Sequence, residues 1–169
     1  WDNTTQDATA DKDMGYVLGQ VRIRKGNGGK TYAFVPNGVD SLNGSATLYV
    51  YQLNAAGGIT ATTKLVADAS GGNGLMSLGM ADLNGDGTID TVYGGDLKGN
   101  VWRWDFTGNT PPTGAVKLFQ ATDGANPQPI TGGIGVGRDN NGNVFVGFGT
   151  GKFIASSDLP GNAGYVTQT

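Results

Sequence analysis

Neither cysteine nor histidine occurs anywhere in the 169 residues. Without thiolates and imidazoles, zinc sites of the usual nitrogen and sulfur kind, Cys-His nucleophiles and the Ser-His-Asp triad are disfavoured. Their absence leaves the redox compartment undetermined. Uninterrupted apolar runs reach only a few residues, against the ~20 needed for a helix to cross a bilayer, so no membrane span is expected. Excess positive charge is missing too. The formal net charge is -3, which leaves no broad basic surface for a phosphate backbone, so no nucleic-acid partner is expected. The chain opens on Trp1 instead of Met and shows no apolar signal-peptide core, so a processed product or an excised fragment is expected.

Glycine is what the chain has in excess, with 31 residues where a share of ~7% is usual. No every-third-residue pattern accompanies it, which excludes collagen, and the alternating apolar runs argue against disorder. A single all-β domain rich in tight turns is expected, with no helix.

Strand signals recur in units. The first unit reads as Tyr16–Arg24, Thr31–Val35, Ala46–Leu53 and an outer strand Ile59–Val66, separated by Gly- and Asn-rich turns. A second follows Ala69–Gly74, with strands at Leu75–Ala81, Thr91–Tyr93, Asn100–Phe106 and Val116–Gln120. A third begins at Gln128–Thr131, continues as Gly133–Gly137 and Asn143–Phe148, and finishes at Lys152–Ala155. Four short strands per ~40–50 residues is the spacing of propeller blades. The fold class expected is therefore all-β, with about three antiparallel β-propeller-like blades forming a partial propeller. Residues 1–14 read as a polar arm, 15–158 as the propeller segment and 159–169 as a tail. Asp2, Asp7, Asp11 and Asp13 leave room in the arm for a second cation without specifying its ligands.

The stretch Asp82-Leu83-Asn84-Gly85-Asp86-Gly87-Thr88-Ile89-Asp90 carries the chemistry. Its oxygen-bearing side chains alternate, and Gly85 and Gly87 permit a sharp curl. Asp82, Asn84, Asp86 and Asp90, with the backbone carbonyl of Thr88, make a hard-oxygen donor set suited to Ca2+. A polar Asx/Gly turn is the simpler alternative, but three carboxylates within nine residues repel one another unless neutralised. Tyr93 stands where an EF-hand has its bidentate Glu, and no helix flanks the loop, which disfavours an EF-hand and excludes a dockerin. Pairing Asp82 with Asp96, or Asp86 with Asp90, as the two acids of a glycosidase is disfavoured, because a carboxylate held on a cation stays ionised. Asp96 is expected to accept backbone hydrogen bonds in its turn. Tyr49, Tyr51, Trp102, Trp104 and Phe145 are expected to pack between blades, and Arg22, Arg24, Arg103 and Arg138 to lie over aromatic edges without forming a site.

The loop followed by Tyr93-Gly94-Gly95-Asp96-Leu97-Lys98-Gly99-Asn100-Val101-Trp102-Arg103-Trp104-Asp105 resembles the C-terminal domain of the PilC/PilY family, the type IV pilus-associated adhesin and biogenesis proteins of bacteria. The resemblance extends to Pro36-Asn37-Gly38, Ser45–Val50, Gln128–Thr131 and Gly147–Phe153, and so from about Gly15 to Asp158. It implies a modified β-propeller whose calcium ligands match Asp82, Asn84, Asp86, Thr88 and Asp90. It also implies a place at the cell surface, outer membrane or pilus tip, and a non-enzymatic role in pilus extension against retraction, adhesion and twitching motility. Minor pilins, the pilus tip, and host or abiotic surfaces would be the partners. The family propeller has more blades than are visible here, so the rest of the parent or another copy would complete it. No Arg-Gly-Asp tripeptide is present for integrin-type attachment. Two other functions stand beside this one. A generic calcium-stapled propeller scaffold would need only the loop and the blades. A quinoprotein-type propeller dehydrogenase would share the Gly99-Asn100-Val101-Trp102 strand, but it needs a full ring and a cofactor cluster, and neither is visible.

Overall fold

A computed structural model describes residues 11–162 and Tyr165. Most of the arm expected over 1–14 and part of the tail expected over 159–169 therefore lie outside the described residues. Two four-stranded antiparallel sheets come first, each a meander in which every strand pairs with its neighbour in sequence. Blade 1 is β1 (Arg22–Gly26), β2 (Lys30–Pro36), β3 (Ala46–Leu53) and β4 (Ile59–Asp68). Blade 2 is β5 (Leu75–Ala81), β6 (Thr91–Asp96), β7 (Asn100–Asp105) and β8 (Val116–Gln120). A two-residue hairpin follows, β9 (Thr122–Asp123) with β10 (Asn126–Pro127). A longer one, β11 (Ile134–Arg138) with β12 (Val144–Phe148), occupies the place of a third blade. Among the described residues there is no α-helix, only two short 3-10 turns.

The main core lies between blades 1 and 2. Alternation along β2 and β3 puts Tyr32, Phe34, Leu48 and Val50 on one face, where they meet Leu75, Leu78, Val92, Trp102, Trp104 and Phe106. Phe34 and Phe106 meet edge to face, with ring centroids 5.1 Å apart. The opposite face of blade 1 buries Ala33, Val35, Tyr49 and Tyr51 beneath Met14. Asn37 joins the blades: its side-chain carbonyl accepts the N–H groups of Thr47 and Leu75, at 3.0 and 2.9 Å, while its amide donates to the carbonyls of Asp13 and Ser45. Blade 2 receives β11 on its other side through bare backbone. A Cβ at Gly79 would stand 2.7 Å from Ile134 Cγ2, and one at Gly95 would stand 2.5 Å from Ile130 Cγ2. A side chain at either position would have to displace Ile134 or Ile130, so this close approach depends on glycine.

Several expectations need correction. The first strand begins at Arg22 and not at Tyr16, because Tyr16 makes a single bridge to Val39 and residues 17–21 join no ladder. Its apolar residues do not face a core. Leu18, Val21 and Ile23 are exposed. The third blade has two strands where four were expected: Gln128–Thr131 supplies only the Ile130–Gly151 bridge, and Lys152–Ala155 forms no strand. Of the aromatics expected to pack between blades, Trp102 and Trp104 do so, whereas Tyr49 and Tyr51 lie on the opposite face of blade 1 and Phe145 is 60% exposed. The hairpin at Thr122–Pro127 has no counterpart in the sequence reading, since two residues per strand are too few to show a period.

Candidate functional site: the Asp82–Asp90 loop

The loop spans the turn between β5 and β6 and is closed at its base by the Asp90 N–H on the Ala81 carbonyl, 3.0 Å. Gly85 and Gly87 take φ of 78° and 85°, in the left-handed region where glycine carries no Cβ penalty. The acidic side chains organise the curl by accepting the loop's own amides. Asp82 takes the N–H of Gly85 and Gly87 on its two oxygens, at 2.7 and 2.8 Å. Asn84 takes the Asp86 N–H at 2.9 Å. Asp86 accepts the N–H and the hydroxyl of Thr88, which hold its carboxyl below the usual carboxylate range. Asp90, buried at the base, accepts the N–H groups of Leu83 and Asn84 on one oxygen, at 2.7 and 3.2 Å.

Asp82, Asn84 and Asp86 are exposed, Thr88 is half-buried and Asp90 is buried, so the five expected ligands share one nine-residue loop at different depths. Among the described residues, no three carboxylates are already gathered as an ion cage. The donor set nonetheless fits calcium in its chemistry: all the ligands are oxygens, and three of them belong to carboxyl groups. Rotation of the exposed Asp82, Asn84 and Asp86 side chains toward Asp90 is the movement that an ion would require.

Sequence reasoning did not reveal how far the loop is wired into its surroundings. The Thr88 hydroxyl oxygen also lies 3.0 Å from Asn27 Oδ1, so its one proton is shared between Asp86 and Asn27, and the Asn27 amide donates to the carbonyls of Phe106 and Thr107. The Ile89 N–H bonds the Lys25 carbonyl at 2.8 Å. Arg138, at the end of β11, donates to the Leu83 carbonyl. The loop thus touches all three blades. No local signal marks Asn27 or Arg138, because both partners are more than fifty residues away in sequence.

Asp96 lies one hairpin further on and is fully buried. One of its oxygens accepts the N–H groups of Lys98 and Asn100, and the other accepts the Asn73 and Asn100 side-chain amides and the Trp102 indole N–H, all at 2.8–2.9 Å. The expected backbone acceptance is therefore present, with three side-chain donors added. The Asp82/Asp96 pairing has no support in this arrangement, since both Asp96 oxygens are committed to structure. Of the acidic arm, Asp11 and Asp13 both meet Lys64, at 2.7 and 2.5 Å, while Asp2 and Asp7 lie outside the described residues.

With this architecture in view, comparison with known proteins gives one consistent answer. The family model of the PilY1 beta-propeller domain matches residues 2–166. A type IV pilus biogenesis factor PilY1 homolog of Xylella fastidiosa is 35% identical over 88% of the chain. The PilY1 biogenesis factors of two Pseudomonas aeruginosa strains, UCBPP-PA14 and PAO1, are 36% identical over 62% and 31% identical over 86% of it. The chain spans only 11%, 9% and 14% of the lengths of these three relatives. The crystal structure of the Pseudomonas aeruginosa PilY1 C-terminal domain superposes with a TM-score of 0.73 at 29% identity, covering 88% of this chain and 35% of that one. The chain therefore belongs to the PilY1 β-propeller domain family.

Proposed function

We propose that this chain is a calcium-binding, non-enzymatic β-propeller segment of a type IV pilus biogenesis factor. The observation that carries the reading is the family match over residues 2–166, which contains the whole donor loop. Asp82, Asn84, Asp86, the Thr88 carbonyl and Asp90 would hold the ion, with water completing the shell. When bound, the ion neutralises three carboxylates and braces a loop that touches all three blades. The segment would then act at the cell surface or pilus, supporting extension against retraction, adhesion and twitching through contacts with minor pilins or the pilus tip.

The test is made in the parent gene of a piliated bacterium. Asp82→Ala/Asp86→Ala should leave export of the protein intact while reducing sheared surface pili and the twitching zone. Normal piliation and twitching after deletion of residues 15–158 would remove the pilus reading altogether. Isothermal titration of the isolated chain with Ca2+ that shows no heat would remove the calcium part alone.

A further inference from the structure

β1, β5 and β11 each pair on one side only, and residues from all three line a common cleft. One part, of about 160 Å³, is walled by Arg22 and Arg24 of β1, Leu78 and Met80 of β5, and Ile134 and Val136 of β11. A neighbouring part of about 320 Å³ shares Arg22 and Leu78 and continues along Ser77 to Thr131, Gly132 and Gly133. The strand register explains why the arginines point there. Arg22 stands opposite Phe34 and Arg24 opposite Tyr32, so both project on the face that carries the core between the blades, at its open end.

Charge and satisfaction are unusual at this place. The chain is net acidic, yet among the described residues no carboxylate lines either part of the cleft. Neither guanidinium has an ion-pair partner among them, and Arg24 donates only to the carbonyl of Ile23 beside it. In the same wall the Ser77 hydroxyl is buried with no hydrogen-bond partner, in a residue only 7% exposed. A buried polar atom left unpaired in a cleft wall is a place for a missing partner. Two planar guanidinium forks match carboxylates bidentately. Between them the walls are apolar, and the free strand edges offer main-chain groups to an extended backbone.

We propose that this cleft binds an extended peptide segment in which carboxylates alternate with apolar side chains. Arg22 and Arg24 take the carboxylates, the Ser77 hydroxyl donates to one of them, and Leu78, Met80 and Val136 cover the apolar neighbours. A free inorganic anion would satisfy the arginines but leave the apolar walls uncovered. The inference stands independently of the calcium loop.

The test uses the 169-residue chain and a fluorescein-labelled peptide, Leu-Asp-Leu-Glu-Leu, followed by fluorescence anisotropy. Its uncharged counterpart, Leu-Asn-Leu-Gln-Leu, should bind at least about ten-fold more weakly, and raised salt should weaken the acidic peptide. Arg22→Gln/Arg24→Gln should also lose about ten-fold with an unchanged melting temperature, since neither side chain belongs to the core. Arg22→Lys, which keeps the charge but loses the fork, should fall between. Equal binding of the two peptides, no binding of the acidic one, or unchanged binding by Arg22→Gln/Arg24→Gln would overturn the proposal. Displacement of the peptide by equimolar inorganic phosphate would overturn it too, by showing a site for free anions.

Discussion

Asp96→Asn removes one charge and changes almost no volume, so its cost isolates the hydrogen-bond arrangement around a buried carboxylate. Five donors converge on that side chain, two on one oxygen and three on the other. An asparagine keeps one acceptor and turns an amide toward the remaining donors. If the amide faces the Asn73, Asn100 and Trp102 side, three donors lose their partner. If it faces the Lys98 and Asn100 backbone, two do. Each buried donor left unsatisfied costs about 1–3 kcal/mol, so the smaller count already gives about 2–6 kcal/mol, and we expect about 4. That is a large share of the ~5–15 kcal/mol that holds a domain together. Urea unfolding of wild type and variant, followed by tryptophan fluorescence, measures it directly, and Trp102 reports locally because its indole N–H donates to this same carboxylate. A loss below about 1 kcal/mol with an unchanged m-value would refute the reasoning, because the pocket would then have to accommodate donors facing donors.

Three further outcomes are expected. Chelation should lower the melting temperature of the wild type and hardly move that of Asp82→Ala/Asp86→Ala, whose starting value is already low; calcium at a hundred times its Kd would add about 2.7 kcal/mol. An unchanged wild-type melt with chelator would leave the loop as a turn held only by its own hydrogen bonds. For Asp68, burial opposes ionisation, but hydrogen bonds from Ser70, Asn73 and Lys98 outweigh it and bring its pKa down to about 2. With the folded pKa below the unfolded value, its contribution of about 2 kcal/mol is present above pH ~4 and is lost as pH falls toward 2. Asp68→Asn should flatten that part of the stability profile, and an identical acid slope in the variant would contradict the assignment. Gly79→Val should cost about 1–3 kcal/mol by overpacking against Ile134 and Val136 and should raise amide exchange in β11, whereas unperturbed exchange there would show that the third blade does not rest on that glycine.

Much of the fold was legible because these blades are sequence-local. Ala46–Leu53, Leu75–Ala81 and Val116–Gln120 begin and end where their alternation and turn residues say they should. Each has a buried partner close by in the chain. The errors fall where pairing is long-range or absent. Tyr16–Gln20 alternates like a strand, but one bridge to Val39 is all the pairing it finds, and period alone cannot show that a neighbour is missing. Lys152–Ala155 fails for the same reason. Within the candidate loop, spacing placed the donors on one curl. It could not foresee that Asp82 and Asp86 would spend their oxygens on the amides of Gly85, Gly87 and Thr88, because that depends on side-chain rotation. The roles of Asn27 and Arg138 were invisible, since each rests on a neighbour from another blade.

The meander in which each strand pairs only with its sequence neighbours also has a consequence for the order of assembly. Blade 1 can complete its ladders as soon as Asp68 is available, without waiting for anything downstream. Its aromatic face cannot be covered that early. Phe34, Leu48 and Val50 find their partners only when Leu75, Val92 and Trp104 arrive, so a newly made chain passes through a stage with hydrogen bonds formed and one greasy side bare. Such a species is open to self-association. Substitutions in blade 2 that slow its closure would therefore lower the yield of soluble protein before they lowered the stability of the finished fold.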